Sequence, residues 1–404
     1  MIKIGFAFLL LTGSTAFSQK IKTSYWQATI QRPDGNTLPF YFKLQEQNKK
    51  AVLYIINDAE QIKVDNIVFT KDSVFIKMPV FESSFRARIT NGEWHGEWTK
   101  GTTANDQVLP FSAHKKLDAV YHKADNNIAG RWAVTFADDK TKEDASIAEF
   151  RQINNKVAGT ILTPSGDYRY LDGIINGNKL RLSTFDGAHA YLFTADIVNN
   201  KEIKNGIFYS GAKGKEGWTG IKDGNAKVRT DAVAMHLKEG EEKLDFHFPD
   251  LTGKDVSIND KRFKNKVVVV QILGSWCPNC MDETAFLSDY YNKNKQRGIE
   301  VVALAYEYST DFARSVKSIT KFQQRFNVQY PILVTGVKVS DSLRTEKTLP
   351  QVTRIKVFPS SIILDKKGKI RKFETDFFGP GTGAHYEAYK KQFYTTVDEL
   401  LKEK

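Results

Sequence analysis

Two cysteines are present among 404 residues, and they stand three apart in Gly274-Ser275-Trp276-Cys277-Pro278-Asn279-Cys280-Met281-Asp282-Glu283. Two thiols at that spacing can open and close a disulfide reversibly, provided that one of them is nucleophilic. The residues around them supply the means. Val267 to Leu273 is an unbroken apolar run of the kind that forms a strand buried on both faces, and Pro278 suits the first turn of a helix, where its missing N–H is not needed. Cys277 is therefore expected at a helix N-terminus. Unpaired N–H groups and the positive end of the helix dipole there favour thiolate over thiol. Cys280, about one turn further on, is placed to attack a mixed disulfide formed at Cys277 and release the substrate.

Few other chemistries fit. The seven histidines, His95, His114, His122, His189, His236, His247 and His385, include no close pair to complete a zinc site with the cysteines, so no metal and no cofactor is expected. A bridge between positions 277 and 280 closes too small a loop to staple domains, which favours a redox role over a structural one. Gly379-Pro-Gly-Thr-Gly383 lacks the Gly-Lys-Ser/Thr ending of a phosphate loop and reads as a flexible connector to the last helix.

The N-terminus, Met1-Ile2-Lys3 followed by Ile4 to Leu11, has the charged and apolar regions of a signal peptide, with cleavage expected after Ser18. No cysteine follows the apolar run, so a lipid anchor has no attachment point. No transmembrane segment is expected in the mature chain, which should reside in an exported, periplasmic compartment. The net charge of +12 divides evenly: residues 241–404 hold 27 basic against 21 acidic side chains, and the rest hold 32 against 26. Signs are interspersed, so the charge reads as solvated surface and no nucleic-acid partner is expected.

The chain exceeds what one core serves, and its period changes along its length. Residues 21–225 carry short alternating strands broken by turns such as Pro33-Asp-Gly-Asn36, Asn91-Gly92 and Asn176-Gly-Asn178. A weak repeat offset by about 107 residues pairs Trp26-Gln-Ala-Thr-Ile with Trp132-Ala-Val-Thr-Phe, Phe42 with Phe150, and Gly96-Glu-Trp98 with Gly217-Trp218. Two all-β antiparallel modules, barrel or sandwich, are expected at 21–116 and 124–225, followed by a charged linker at 226–243. Trp94 and Trp98 fall on one strand face and read as core. An apolar cavity inside a small barrel would permit a ligand-binding role, which stays open as an alternative. From 244 the pattern turns to strands alternating with helices, an α/β domain with a mixed sheet covered on both faces.

With Trp276-Cys-Pro-Asn-Cys280 at a strand-to-helix turn, Phe358-Pro359 before a later strand and the opening Phe248-Pro-Asp-Leu-x-Gly253, residues 244–404 resemble the thioredoxin fold. More narrowly, they resemble the TlpA-like exported thiol-disulfide oxidoreductases. That resemblance implies Cys277 as exposed nucleophile, Cys280 as buried resolving thiol and Pro359 as a cis proline that presents Phe358 to a substrate peptide, with Trp276 and Pro278 also at the substrate. It implies that Glu283 carries a proton for the resolving thiol; complementing the helix N-terminus is the other reading, and it also covers Asp282. In thioredoxin a buried aspartate lies six residues before the nucleophile, and Gln271 stands there instead, so Glu283 or Glu307 would have to take its place. The resemblance further implies reduction of protein disulfides, with electrons from a membrane thiol carrier and cysteine-containing exported proteins such as apocytochromes as substrates. The residues themselves leave direction open. A peroxiredoxin-like peroxidase is a second alternative, though it needs Thr-x-x-Cys and Gly274 holds the threonine position.

Overall fold

The structure is a computed structural model that describes residues 21–101, 107–117, 121–137 and 145–403. The expected signal peptide lies outside the described residues.

The first sheet comprises β1 (Ser24–Gln31), β2 (Thr37–Gln47), β3 (Lys50–Asn57), β4 (Glu60–Val64), β5 (Asn66–Phe69), β6 (Ser73–Lys77), β7 (Ser83–Thr90), β8 (Glu93–Lys100) and β9 (Gln107–Lys115). Its first strand pairs antiparallel with both β2 and β9, which curls the sheet into a nearly closed barrel with β4 and β5 at its edges. The second sheet repeats the plan: β10 (Gly130–Phe136), β11 (Ser146–Ile153), β12 (Lys156–Thr163), β13 (Gly166–Asp167), β14 (Leu171–Asn176), β15 (Lys179–Phe185), β16 (Ala190–Asn199), β17 (Glu202–Ser210) and β18 (Gly214–Lys222). Here β10 pairs with β11 and β18, and β11 with β12, so the barrel closes.

Trp26 in β1 and Trp132 in β10 occupy matching strands, as the repeat requires. The proposed match of Trp98 with Trp218 does not hold. Trp98 lies in the penultimate strand β8 and Trp218 in the last strand β18, because the true counterpart of β18 is β9. Trp94 and Trp98 are buried and His95 between them is exposed, as alternation dictates.

Aromatic side chains fill the first barrel, so that the space among Phe40, Phe42, Ile55, Met78, Phe85 and Trp94 is about 10 Å³. That is about the least volume that holds one water, and this space offers no ligand cavity. Part of the filling comes from the second barrel. Phe185 of β15 is fully buried and stacks on Phe40 at 4.2 Å, Asn57 donates to the Phe185 carbonyl at 2.9 Å, and the Trp98 indole donates to the Gly187 carbonyl at 3.0 Å. The two barrels thus share a core.

The segment expected as a linker is not free chain. Met235 is buried with Leu244 and Phe246, and Leu237 forms a β-bridge with Val352, since an apolar side chain among charged ones still finds the nearest core.

The last domain contains a hairpin of β19 (His247–Pro249) and β20 (Asp255–Ser257), then β21 (Val267–Leu273), α1 (Pro278–Asn294), β22 (Ile299–Ala305), α2 (Phe312–Arg325), β23 (Ile332–Val334), α3 (Arg344–Thr348), β24 (Ser360–Leu364), β25 (Ile370–Glu374) and α4 (Ala384–Lys402). Sheet order is β23-β22-β21-β24-β25, with the first three strands parallel and the others antiparallel. Every residue of β21 is buried, as expected of a central strand with covered faces. Val269 and Leu273 pack with α1, α2 and α4, whereas Val268 and Val270 face the hairpin and Val352.

Phe185→Ala should destabilise the first barrel although the residue belongs to the second. A loss of about 3–5 kcal/mol is expected in denaturant unfolding followed by tryptophan fluorescence; a loss under about 1 kcal/mol would show that the barrels are independent.

Candidate functional site

Cys277 and Cys280 are joined by a disulfide at the start of α1, with Cα atoms 5.2 Å apart. Cys277 is the N-cap of the helix: its backbone is extended (φ −94°, ψ 123°), Pro278 follows in the first turn, and the Cys277 Sγ accepts the Cys280 N–H at 3.2 Å. The sulfur thus takes the place of a capping hydroxyl, and free N–H groups and the helix dipole act on it directly.

The loop before Cys277 is held by the end of β22. The Glu307 carboxylate accepts the Ser275 N–H and hydroxyl, both at 2.8 Å, and the Trp276 indole donates to the Tyr306 carbonyl at 2.8 Å. Gly274 has a steric reason: a Cβ there would run into the Trp276 indole. A threonine, which a peroxidatic site needs at that position, is thereby excluded from this loop geometry.

The Phe358–Pro359 bond is cis, at the entry to β24. The Phe358 carbonyl oxygen lies 3.5 Å from Cys277 Sγ, and the Phe358 ring packs 5.7 Å from Trp276 and 5.6 Å from Tyr306. Trp276, Cys277, Pro278, Phe358 and Pro359 therefore gather at one end of the sheet. Cys277 is only 3 % exposed in the disulfide form, less open than the resemblance implies, and Val80 of the first barrel belongs to the same apolar cluster.

The same helix carries a fully buried carboxyl. Glu283, one turn after Cys280 on α1, accepts the Gln271 amide at 2.9 Å, the Ser361 hydroxyl at 2.9 Å and the Tyr389 hydroxyl at 3.3 Å. Burial pushes it up to about 7 against the opposing effect of those three donors. Gln271 thus supports the carboxyl of α1 from the position where thioredoxin has its own acid, and Tyr330 holds the amide in turn at 3.1 Å. Glu307, the other candidate acid, is raised by burial as well, yet its bonds go to Ser275.

Sequence reasoning missed the residues that reach this site from the barrels. Asp167 of β13 accepts the Asn279 amide, 3.2 Å from its carbonyl and 3.1 Å from its carboxylate. Arg169 donates to the Pro278 carbonyl at 3.1 Å and to Asp282 at 2.6 Å, and it pairs with Glu60 of β4. The glycine-rich stretch near 380 is likewise docked: Gly379 N–H donates to Asp167 at 2.7 Å, and Pro380–Thr382 form a short 3-10 turn. Close approach, not flexibility, explains two of these glycines, since a Cβ on Gly379 would lie 2.7 Å from Asp282 and one on Gly381 2.7 Å from the Arg169 backbone, whereas Gly383 takes a left-handed φ of 57°. The only signal in the sequence was a turn, Pro164-Ser-Gly166, with a charged residue between two tyrosines after it.

Residues 238–389 match the family model described as Redoxin. The chain is 28 % identical to thiol-disulfide oxidoreductase ResA of Bacillus thuringiensis subsp. konkukian over 156 residues, 39 % of this chain and 79 % of that protein. Among solved structures, the thioredoxin domain of a thiol-disulfide oxidoreductase of Bacteroides vulgatus is 25 % identical, with a TM-score of 0.29, covering 39 % of this chain and 99 % of that one. A thiol:disulfide interchange protein of the thioredoxin family from Chlorobium tepidum is 16 % identical, with a TM-score of 0.31, covering 41 % and 98 %. Sheet order, the helix-capping cysteine pair and the family match agree: the C-terminal part of this chain is a redoxin domain of the thioredoxin fold, with the dithiol of a thiol-disulfide oxidoreductase.

Proposed function

We propose that the protein is an exported reductase of protein disulfides. The observation that carries this reading is that Cys277, bonded to Cys280, caps α1, with the buried Glu283 carboxyl one turn beyond Cys280 on the same helix. The Cys277 thiolate attacks one sulfur of a substrate disulfide; a Cys277–substrate bond forms, the substrate bond breaks, and one substrate thiolate leaves. The Cys280 thiol then gives its proton to ionised Glu283 and attacks Cys277 Sγ, which restores the intramolecular disulfide and frees the second substrate thiolate. Two electrons pass from the dithiol to the substrate, whose two thiolates take protons from solvent. A dithiol carrier in the membrane re-reduces the pair. The cis Phe358–Pro359 bond supports docking of an extended peptide against the backbone of Phe358, with Trp276 and Pro278 beside it.

Export rests on the N-terminal charged and apolar pattern, and among the described residues no helix is long and apolar enough to cross a membrane. Cysteine-containing exported proteins are the substrates that this setting offers.

Cys280→Ser should accumulate a mixed disulfide between Cys277 and a disulfide-containing model protein such as insulin, visible on non-reducing gels, and Cys277→Ser should not. A trapped adduct in Cys277→Ser would reverse the order of attack. For Glu283 the ionised form accepts the proton, so the rate of insulin reduction should rise as pH passes through about 7, where the carboxyl titrates. Glu283→Gln should lower the rate about 10²-fold or more above that pH and abolish the rise; an unchanged pH profile would show that Glu283 carries no proton.

A further inference from the structure

The turn between the two cysteines is not free to solvent. Asn279 is 8 % exposed, and its amide is spent on Asp167 of the second barrel. Gly166 beside it must be a glycine, because a Cβ there would run into the Asn279 side chain. Arg169, from the same segment, is 6 % exposed and reaches three residues on two elements at once: the Pro278 carbonyl of α1 at 3.1 Å, Asp282 of α1 at 2.6 Å, and Glu60 of the first barrel. Pro278 is the residue next to the nucleophile. A guanidinium from one barrel, countered by a carboxylate from the other, is therefore fixed on the first turn of the redox helix.

The charges around it decide its effect. Asp282 is held upward by burial, opposed by Arg169 and assisted by Asp167 and Glu60; Asp167 is also raised by burial, while Asp186, paired with His189 at 2.8 Å, is lowered by that partner against burial. Arg169 is the cation at the centre of these four carboxyls. Without it, Asp282 and Asp167 would be pushed further up and take protons, and the first turn of α1 would lose the positive charge bonded to the Pro278 carbonyl, so a thiolate at Cys277 would be less favoured.

We propose that Arg169 is a positioning residue for thiol–disulfide exchange at Cys277, holding the Pro278–Asn279 turn and balancing the carboxyls around it so that the thiolate can form. This rests on the redox reading above. No new bond is made or broken: the step is the same attack by Cys277, and Arg169 acts by charge and by its hydrogen bond to Pro278. The barrels, on this view, are part of the redox machinery and not only its neighbours. Glu283 on α1, Glu307 and Tyr308 after β22, and Lys100, His189 and the Arg314–Glu82 pair across the adjoining pocket also surround the site, and they stay constant in the variants below.

The test uses the full-length reduced protein, with the Cys277 thiolate titrated by its ultraviolet absorbance and the dithiol equilibrated against glutathione. Arg169→Met should move the thiolate midpoint up by about one pH unit or more and shift the glutathione equilibrium about tenfold toward the protein disulfide, because the reduced form loses stabilisation. Arg169→Lys, which keeps the charge, should recover most of both. Glu60→Gln leaves Arg169 less countered and should shift both readings the opposite way. Opposite shifts in the Met and Gln variants support the role; no shift, or shifts of one sign, overturn it. If Arg169→Met does not fold, Glu60→Gln alone decides, since a merely structural pair would leave its midpoint at the wild-type value. Failure of the wild-type dithiol to equilibrate with glutathione at all would instead remove the redox reading itself.

Discussion

The first turn of α1 is the constraint on which the site depends. A helix begins with N–H groups that no carbonyl of its own can reach, and here a sulfur accepts one of them. That single substitution of sulfur for the usual capping oxygen places Cys277 where thiolate is favoured and Cys280 one turn behind it. The central strand that delivers the chain to this point must then be rigid. Five strands with both faces covered, and the ties of Ser275 to Glu307 and of Trp276 to Tyr306, provide that rigidity.

A second demand follows from burial. On the proposed mechanism the fully buried Cys280 thiol passes its proton to Glu283, the buried carboxyl one turn further along α1, which burial raises to about 7. Glu283 is kept in place by donors from β21, β24 and α4, so that its cost of burial is offset by hydrogen bonds from three elements. The two β-barrels meet a comparable demand from the other side. They interlock through Phe185 and Asn57 into one body, and segments from both close over the α1 terminus through Glu60, Asp167 and Arg169.

Much of this was legible in the residues. The Val267–Leu273 run, Pro278 after Cys277, Gly298 after the helix and the alternation at Trp94, His95 and Trp98 each carry a local physical reason, and local reasons survive folding. The cysteine pair and Pro359 were legible because so few residue types can do that chemistry. The rest depended on contacts distant in sequence. Nothing near Arg169 announces that its partners lie 109 and 113 positions away, and nothing near Gly379 distinguishes a flexible connector from a docked turn. The barrel ends were mispaired for a related reason: tryptophan, being rare and conspicuous, drew Trp98 to Trp218, whereas strand order pairs β9 with β18. Gln271 looked like a lost acid because its contact with Glu283 spans 12 positions between strand and helix.

On the proposed mechanism the two sulfurs differ, one poised as thiolate at the helix terminus and the other held back behind it. Brief exposure of the reduced full-length protein to iodoacetamide at mildly acidic pH, followed by peptide mass analysis, tests it most directly. Modification confined to Cys277 is the expected result. Equal modification of Cys277 and Cys280, or none at either, would contradict it.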